Sequence, residues 1–144
     1  MSLIYRFRKE ELEDGSVAVR PRIPLVLKGK DGSIEYYALL DSGCDVTVIP
    51  EKIADALGLD KTGKKNTLFG YNESSEVIES NANFIFIGRA NREEVNLNNI
   101  PVLITCSKES EEDVVLGISG IFDSFDITFK KLQNRIVMKR VIVA

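Results

Sequence analysis

The residue best suited to chemistry is Asp41, which opens the tripeptide Asp41-Ser42-Gly43 between two apolar runs. These runs predict that the carboxylate lies on a tight turn between two buried strands. Gly43 lets backbone pass close to the acid, and the Ser42 hydroxyl can hydrogen-bond an oxyanion. A charged group held by short polar neighbours at the end of an apolar strand is a candidate functional acid. The alternative is an ordinary acidic turn, since Asp, Ser and Gly are common turn residues.

The composition excludes most other catalytic chemistry. The chain has no histidine, which removes Ser-His-Asp and Cys-His pairs and the usual histidine-based zinc sites. Its two cysteines, Cys44 and Cys106, cannot form a four-thiolate metal site, and no Gly-rich phosphate loop occurs. We expect Cys44 to be a small buried filler, and we expect no metal and no cofactor. If the chain is an enzyme, carboxylate chemistry is the main route left.

Length and charge indicate one globular domain. A chain of 144 residues with 44% hydrophobic content is long enough for one core and too short for two ordinary domains, so residues 1–144 are expected to form a single unit. The net charge of −3 is mixed along the chain without a basic stripe, which argues against nucleic acid. No apolar run approaches the roughly 20 residues that span a bilayer, and no secretory signal is visible. We expect no membrane partner and a cytoplasmic location.

Apolar and polar residues mostly alternate, which is typical of half-buried strands. Strands are predicted over residues 3–10, 17–28, 34–40, 46–49, 84–87, 100–105, 114–117, 127–129 and 136–143, with a polar-tipped hairpin over 67–79. The strand 17–28 should be bent or at an edge, because Pro21 and Pro24 cannot donate a ladder hydrogen bond. A short helix is predicted from Pro50 to Leu57, with Gly58 in the left-handed conformation after it. One or two further helical turns are predicted over 118–124.

Two segments resemble the retropepsin family of aspartic peptidases, the single-lobe relatives of pepsin. The first is the apolar-Asp-Ser-Gly segment that runs from Leu39 to Ile49. The second is an apolar-apolar-Gly strand with the helix and strand beyond it, formed by Val114, Val115, Leu116, Gly117, Phe122, Phe125, Asp126, Ile127, Thr128 and Phe129. With the strand pattern, the resemblance covers about residues 17–130. It implies a mainly β fold, a closed acid-protease barrel with one or two short helices, and an aspartic endopeptidase activity.

The resemblance also implies roles for single residues. Asp41 would be the catalytic acid, Ser42 would hydrogen-bond across a dimer axis, and Gly43 would offer its carbonyl to substrate. Other substrate-binding positions follow from the same match: Asp45 at the peptide backbone, Val48 and Val115 in side-chain pockets, and Gly70 and Tyr71 on the hairpin 67–79, which would close as a flap. Val48 and Val115 are equally well explained as core residues, and an ordinary exposed hairpin explains 67–79 nearly as well.

Two residues depart from the family pattern. Ile118 stands where the family commonly has an arginine, and that arginine often pairs with an acid matching Asp45. Asp45 therefore needs another partner or an exposed position. Cys44 replaces the usual alanine at the floor of the substrate cleft.

Hydrolysis of an amide without metal or nucleophilic side chain needs an acid and a base at the same water. Two carboxylates about 3 Å apart supply both, because like charges at that distance hold one proton between them. The chain has no second Asp-Ser/Thr-Gly: Asp123-Ser124-Phe125 lacks the glycine, and Asp31-Gly32-Ser33 reads as a plain turn. The second acid is therefore expected from Asp41 of another copy, in a homodimer whose active site lies at the interface and takes a peptide or protein substrate.

Two alternatives remain open. One is a non-catalytic member of the same fold that serves as a peptide-binding or dimerisation module, motivated by Ile118 and Cys44. The other is an unrelated β-barrel in which Asp-Ser-Gly is only a turn. In retroviral relatives the termini interleave at the interface, and the strongly β-forming segment 136–143 is expected either in such an interface or against the strand over 3–10.

Overall fold

The computed structural model describes residues 2–70, 73–89, 92–106 and 113–141. Its strands are β1 (Ser2–Tyr5), β2 (Arg8–Glu11), β3 (Val17–Arg20), β4 (Arg22–Gly29), β5 (Gly32–Leu40), β6 (Thr47–Pro50), β7 (Lys65–Gly70), β8 (Glu73–Ile87), β9 (Glu94–Thr105), β10 (Val115–Leu116), β11 (Phe125–Lys130) and β12 (Arg135–Arg140). The helical elements are α1 (Glu51–Leu57) and a kinked helical turn, Ile118–Phe122, in which Ser119 and Gly120 have non-helical backbone angles. No helix in the described part of the chain is long and apolar enough to cross a membrane.

Six strands close into a barrel. Their order around it is β4, β5, β10, β6, β9 and β8, and β8 pairs back onto β4. The pairs β5–β10 and β6–β9 are parallel and the others antiparallel, so the barrel is mixed. The predicted fold class, a closed mainly β barrel with short helices, is confirmed.

Strand alternation fills the barrel with apolar side chains. In β4, Ile23, Leu25 and Leu27 are all buried, as their spacing predicts, while their neighbours along the strand are more exposed. The helix α1 adds Ala54 and Leu57 to this core. It ends at Gly58, whose φ of 71° is the left-handed conformation predicted from the sequence. Pro50 is the last residue of β6 and precedes the helix instead of beginning it.

The first two predicted strands are each divided in the structure. Residues 3–10 contribute β1 and β2, which pair in different sheets, so the chain bends between them. Residues 17–28 form β3 and β4 with Pro21 between them. Pro21 has no N–H for a ladder, but its carbonyl accepts a hydrogen bond from the Leu40 amide (3.0 Å). The break therefore fixes β4 beside β5.

The second strand of the predicted hairpin and the strand predicted over 84–87 are parts of one long strand, β8. β8 runs for 15 residues and pairs with β7, β9 and β4 in turn. The polar stretch that separates the two predictions contains a register shift between Ala82 and Phe84. A bulge of this kind lets one strand bend around a barrel without ending, so a break in the apolar alternation did not mean a break in the strand.

The terminal segments form a separate three-stranded sheet. β12 lies in its centre, paired with β1 on one side and β11 on the other. Ile136 and Met138 of β12 are fully buried. Of the two expected locations for the segment 136–143, packing against the first strand is confirmed for the part up to Arg140, while residues 142 and 143 lie outside the described residues.

Candidate active site

Asp41 directly follows β5 and is held mainly by backbone hydrogen bonds. Its amide donates to the Leu116 carbonyl (3.1 Å), which ties the acid to β10. Its Oδ1 accepts a hydrogen bond from the Gly43 amide (2.9 Å), and its carbonyl accepts one from the Cys44 amide (3.1 Å). The half-buried carboxylate is therefore oriented by its own turn. Aspartate commonly accepts a hydrogen bond from the amide two residues later in this way.

Ser42 and Gly43 complete the turn on its exposed side. A Cβ on Gly43 would lie 3.2 Å from Asp41 Oδ1, closer than most side chains tolerate, so glycine allows the carboxylate to reach the amide. The Ser42 hydroxyl has no hydrogen-bond partner within residues 2–70, 73–89, 92–106 and 113–141. Its hydrogen-bonding capacity is available for a group beyond this chain.

The loop after Asp41 is fastened to the segment that follows β10. The Ile118 amide donates to the Cys44 carbonyl and the Ser119 amide to the Asp45 carbonyl, both at 2.8 Å. The Gly117 amide donates to Oγ1 of the fully buried Thr47 (3.0 Å). Three successive amides thus hold the loop beside the acid.

Gly117 is required by this close contact. A Cβ at this position would lie 2.6 Å from the backbone carbon of Val46 and 2.8 Å from the Cys44 carbonyl oxygen. Such distances are not found for real side chains, so any larger residue would push the two segments apart.

The backbone bonds also replace the ion pair that the sequence lacks. Ile118, at the position where an arginine is common, contributes its amide to the loop. Asp45 is exposed, and its carboxylate has no ion pair with any described residue. Of the two outcomes expected for Asp45, the structure has the exposed position.

An apolar row lies on the face of the sheet that carries Asp41. Leu39 pairs with Val115, Val115 with Val48, and Val48 with Leu103, so four side chains lie side by side across β5, β10, β6 and β9. Each is half-buried, whereas Leu40, Leu116, Ile49 and Ile104 beside them face the core. Leu39 shares the face of Asp41 because it lies two residues earlier.

Val48 and Val115 are therefore half-buried residues of this row and not core residues. The sequence left these two possibilities open. Leu39 and Leu103 belong to the same row and were not singled out from the sequence. The two-residue spacing between Leu39 and Asp41 was a usable signal. Leu103 gave none, because its position depends on the register between β6 and β9.

The sequence profile of a family described as aspartyl protease matches residues 24–119, more than half of the 144 residues. This span contains both Asp41 and Gly117. The chain belongs to the aspartyl protease family.

A solved structure agrees with this chain in fold. A retropepsin-like aspartic protease from Rickettsia conorii matches over 96% of this chain and 90% of its own, with a TM-score of 0.55 and 15% identity. An EIAV protease solved with the inhibitor HBY-793 matches over 68% of this chain and 81% of its own, with a TM-score of 0.44 and 17% identity. A search of curated protein sequences returns no match.

Cys44 gives this aspartyl protease family member a thiol in the turn that follows Asp41. Its Sγ donates to the Val46 carbonyl at 3.0 Å. Burial raises the pKa of the Cys44 thiol, and the negative charges of Asp41 and Asp45 raise it further. The thiol therefore stays protonated near neutral pH. Cys44 is half-buried, however, and not fully buried as the sequence predicts.

In this aspartyl protease family member, the strands of the hairpin β7–β8 extend further toward its tip than the sequence predicts. The predicted polar tip spans residues 72–75, but β8 begins at Glu73, which pairs with Gly70 at the end of β7. Tyr71 lies outside the described residues. The structure leaves the roles of Gly70 and Tyr71 as predictions.

Neither alternative acid lies in a motif like that of Asp41. Asp123 ends the helical turn after β10, is exposed, and accepts a hydrogen bond from the Gly120 amide (3.3 Å). Asp31 lies in the turn between β4 and β5, where Gly29 pairs with Gly32. Within the described chain, Asp41 is the aspartate that combines the family's turn with the apolar row.

Proposed function

We propose that this chain is an aspartic endopeptidase that hydrolyses peptide bonds as a homodimer. The observation that carries the proposal is the setting of Asp41. Its Oδ1 is fixed by the Gly43 amide, its turn is fastened to the Gly117 segment, and an apolar row extends from it. The same family membership supports peptide hydrolysis as the activity.

The chemistry requires two such turns to face each other across a twofold axis. One Asp41 would be ionised and take a proton from the water, while the protonated Asp41 of the second copy donates toward the scissile carbonyl. The water oxygen bonds to the carbonyl carbon. The C–N bond then breaks as the leaving nitrogen takes the proton that the first Asp41 took from the water, and the second Asp41 recovers its proton from the hydroxyl as the carboxyl product forms. The exposed Ser42 hydroxyls would hydrogen-bond across the axis and hold the carboxylates coplanar.

The apolar row would bind the substrate's side chains next to the scissile bond. Leu39, Val48 and Val115 offer half-buried apolar surface, while the exposed Asp45 would accept hydrogen bonds from peptide amides. The hairpin β7–β8 would close over the peptide and exclude water. Neither role needs a cofactor.

The non-catalytic alternative loses part of its support. Its motives were the absence of the family's arginine at Ile118 and the presence of Cys44. Here the amides of Ile118 and Ser119 already bind the carbonyls of Cys44 and Asp45, so the loop beside Asp41 is held without that ion pair.

The test combines cleavage with chain mixing. A peptide library at mildly acidic pH should be cleaved by the natural chain and left intact by Asp41→Asn. Asp126→Asn, which changes an exposed aspartate of β11, serves as the matched control and should remain active.

Mixing then tests whether two chains share one site. An excess of Asp41→Asn should suppress the activity of the natural chain, because most natural chains would then pair with an inactive one. An equal excess of Asp126→Asn should not. Activity that is unaffected by the Asp41→Asn chain would contradict the shared site, and binding without cleavage would favour the non-catalytic module.

A further inference from the structure

Most of the chain's arginines surround one groove. The groove has a volume of about 560 Å³ and lies between the N-terminal residues 4–8 and the outer face of β4 and β5. Five of the eight arginines in the sequence line it: Arg6, Arg8, Arg22, Arg89 and Arg135. No acidic residue is among the described residues that line it, although the chain as a whole has a net charge of −3. We call this feature the arginine groove.

An aromatic ring holds two of these arginines in place. The Arg8 guanidinium lies 3.9 Å from the ring centroid of Tyr37, and that of Arg89 lies 5.8 Å from it. Arg89 also donates a hydrogen bond to the Tyr37 hydroxyl. Neither arginine has an ion pair with an acid among the described residues. Both guanidinium groups are thus positioned by stacking on the Tyr37 ring and not by an ion pair.

Arg22 and Tyr5 form the deeper wall of the groove. Arg22 is paired with Glu10 and Asp113, so its charge is already satisfied and its role is structural. Tyr5 is only 1% exposed, and its hydroxyl has no hydrogen-bond partner in the part of the chain that the structure describes. A buried hydroxyl without a partner is rare in folded proteins, and here it belongs to a residue that lines a cationic cavity.

The arginine groove continues the apolar row. Arg22 is the cross-strand partner of Leu39, and Pro24 is that of Tyr37. Cross-strand partners share a face of the sheet, so Tyr37, Leu39 and Asp41 follow one another along one face. At about 3.4 Å per residue, Tyr37 lies about 14 Å along the strand from Asp41. An extended peptide spans that length in about four residues.

We propose that the arginine groove binds acidic side chains of the substrate, about four residues from the scissile bond. The inference rests on the proposed function, because it takes the apolar row as the place where the peptide lies. Guanidinium groups bind carboxylates in a bidentate manner, and the Tyr37 ring holds those of Arg8 and Arg89 in place for such a contact. The arginine groove is continuous with the apolar row and lies on the same face as Asp41. This placement favours a peptide over nucleic acid, because binding nucleic acid would not require the Asp41 carboxylate nearby.

Binding is measured first, without any need for cleavage. The full-length Asp41→Asn protein is titrated into a fluorescent peptide that carries glutamates on both sides of a central apolar pair, and into the same peptide with glutamines. The glutamate peptide should bind about tenfold more tightly at low salt, as expected for two exposed ion pairs, and the difference should shrink as salt is added.

Charge-matched variants locate the site. Arg8→Gln with Arg89→Gln should abolish the preference for glutamate, and Arg6→Gln with Arg135→Gln should reduce it without touching the Tyr37 stack. Lys30→Gln with Lys52→Gln removes the same charge from exposed positions elsewhere and should leave the preference intact. In the natural chain, the glutamate peptide should be cleaved with a lower KM and an unchanged kcat.

The outcomes separate the two proposals. A glutamate preference in binding without cleavage of any peptide would support the arginine groove and count against the peptidase. Cleavage with equal binding of both peptides would overturn the proposed role of the arginine groove and leave the peptidase proposal standing. The inference would also be overturned if a single-stranded oligonucleotide bound the arginine groove more tightly than the peptide. Arginine variants that change only the dimerisation of the chain would overturn it too.

Discussion

The amide of Gly117 donates a hydrogen bond to the buried hydroxyl of Thr47, a residue 70 positions earlier in the chain. This bond joins the two segments that resemble the retropepsin family, and it does so next to Asp41. Because Gly117 has no Cβ, the backbone of Cys44–Val46 packs directly against it. The position of the candidate catalytic acid therefore depends on a contact far from it in sequence.

Gly117→Ala should destabilise the fold and displace the Asp41 turn. The added methyl would overlap backbone that cannot rotate away, so we expect a loss of about 3 kcal/mol in the free energy of unfolding, measured by denaturant titration. Gly15→Ala is the control, since its φ of 85° is strained but no atom lies within 4 Å of the new methyl. It should cost about 1 kcal/mol. Equal losses for the two variants would contradict the packing explanation.

The half-buried row and the core beside it should respond differently to truncation. Val115→Ala should change which side chains are accepted next to the scissile bond, at a stability cost of about 1 kcal/mol. Leu116→Ala, one residue later and fully buried, should cost about 3 kcal/mol and leave the preference unchanged. Peptide-library profiling and thermal unfolding of both variants distinguish the two effects. If Val115→Ala accepted the same side chains next to the scissile bond, Val115 would be a core residue and not part of a substrate pocket.

Tyr36 should make stability depend on pH in the alkaline range. Burial raises the pKa of Tyr36 from 10.0 to about 12, and the hydrogen bond that its hydroxyl donates to Asp113 (2.6 Å) acts in the same direction. Folding thus favours the neutral phenol, so the stabilisation is complete below pH 10 and is lost as the pH rises to about 12. Tyr36→Phe should flatten the fall in unfolding free energy over this window. Tyr37→Phe is the control, and an unchanged slope in Tyr36→Phe would refute the assignment.

Cys44 should react slowly with alkylating reagents. Burial and the neighbouring carboxylates raise the pKa of its thiol, so little thiolate is present at pH 8. Mass spectrometry of the folded chain treated with iodoacetamide should show modification of Cys44 about tenfold slower than that of a small free thiol. Alkylation at the rate of the free thiol would show that Cys44 is more reactive than its surroundings predict.

The local features of the site could be predicted from the sequence, whereas those set by register could not. Asp41 on a turn after an apolar strand follows from neighbouring residues, as does the left-handed Gly58. The row that joins Leu39 to Leu103 depends on which strands pair, and β10 contributes to it through only two residues. The bulge near Ala82 hid the continuity of β8, since a polar interruption in a strand resembles a loop in sequence. The arginine groove was missed because its members come from five separate segments.

A shared active site requires two Asp41 carboxylates to meet across a twofold axis. The most direct measurement is a crystal structure of the natural chain with a statine-type transition-state mimic, in which the separation of the two carboxyl groups is read directly. We expect their nearest oxygens to lie about 3 Å apart, with the mimic's hydroxyl between them. Carboxyl groups that are far apart in every assembly of the chain would rule out the shared active site.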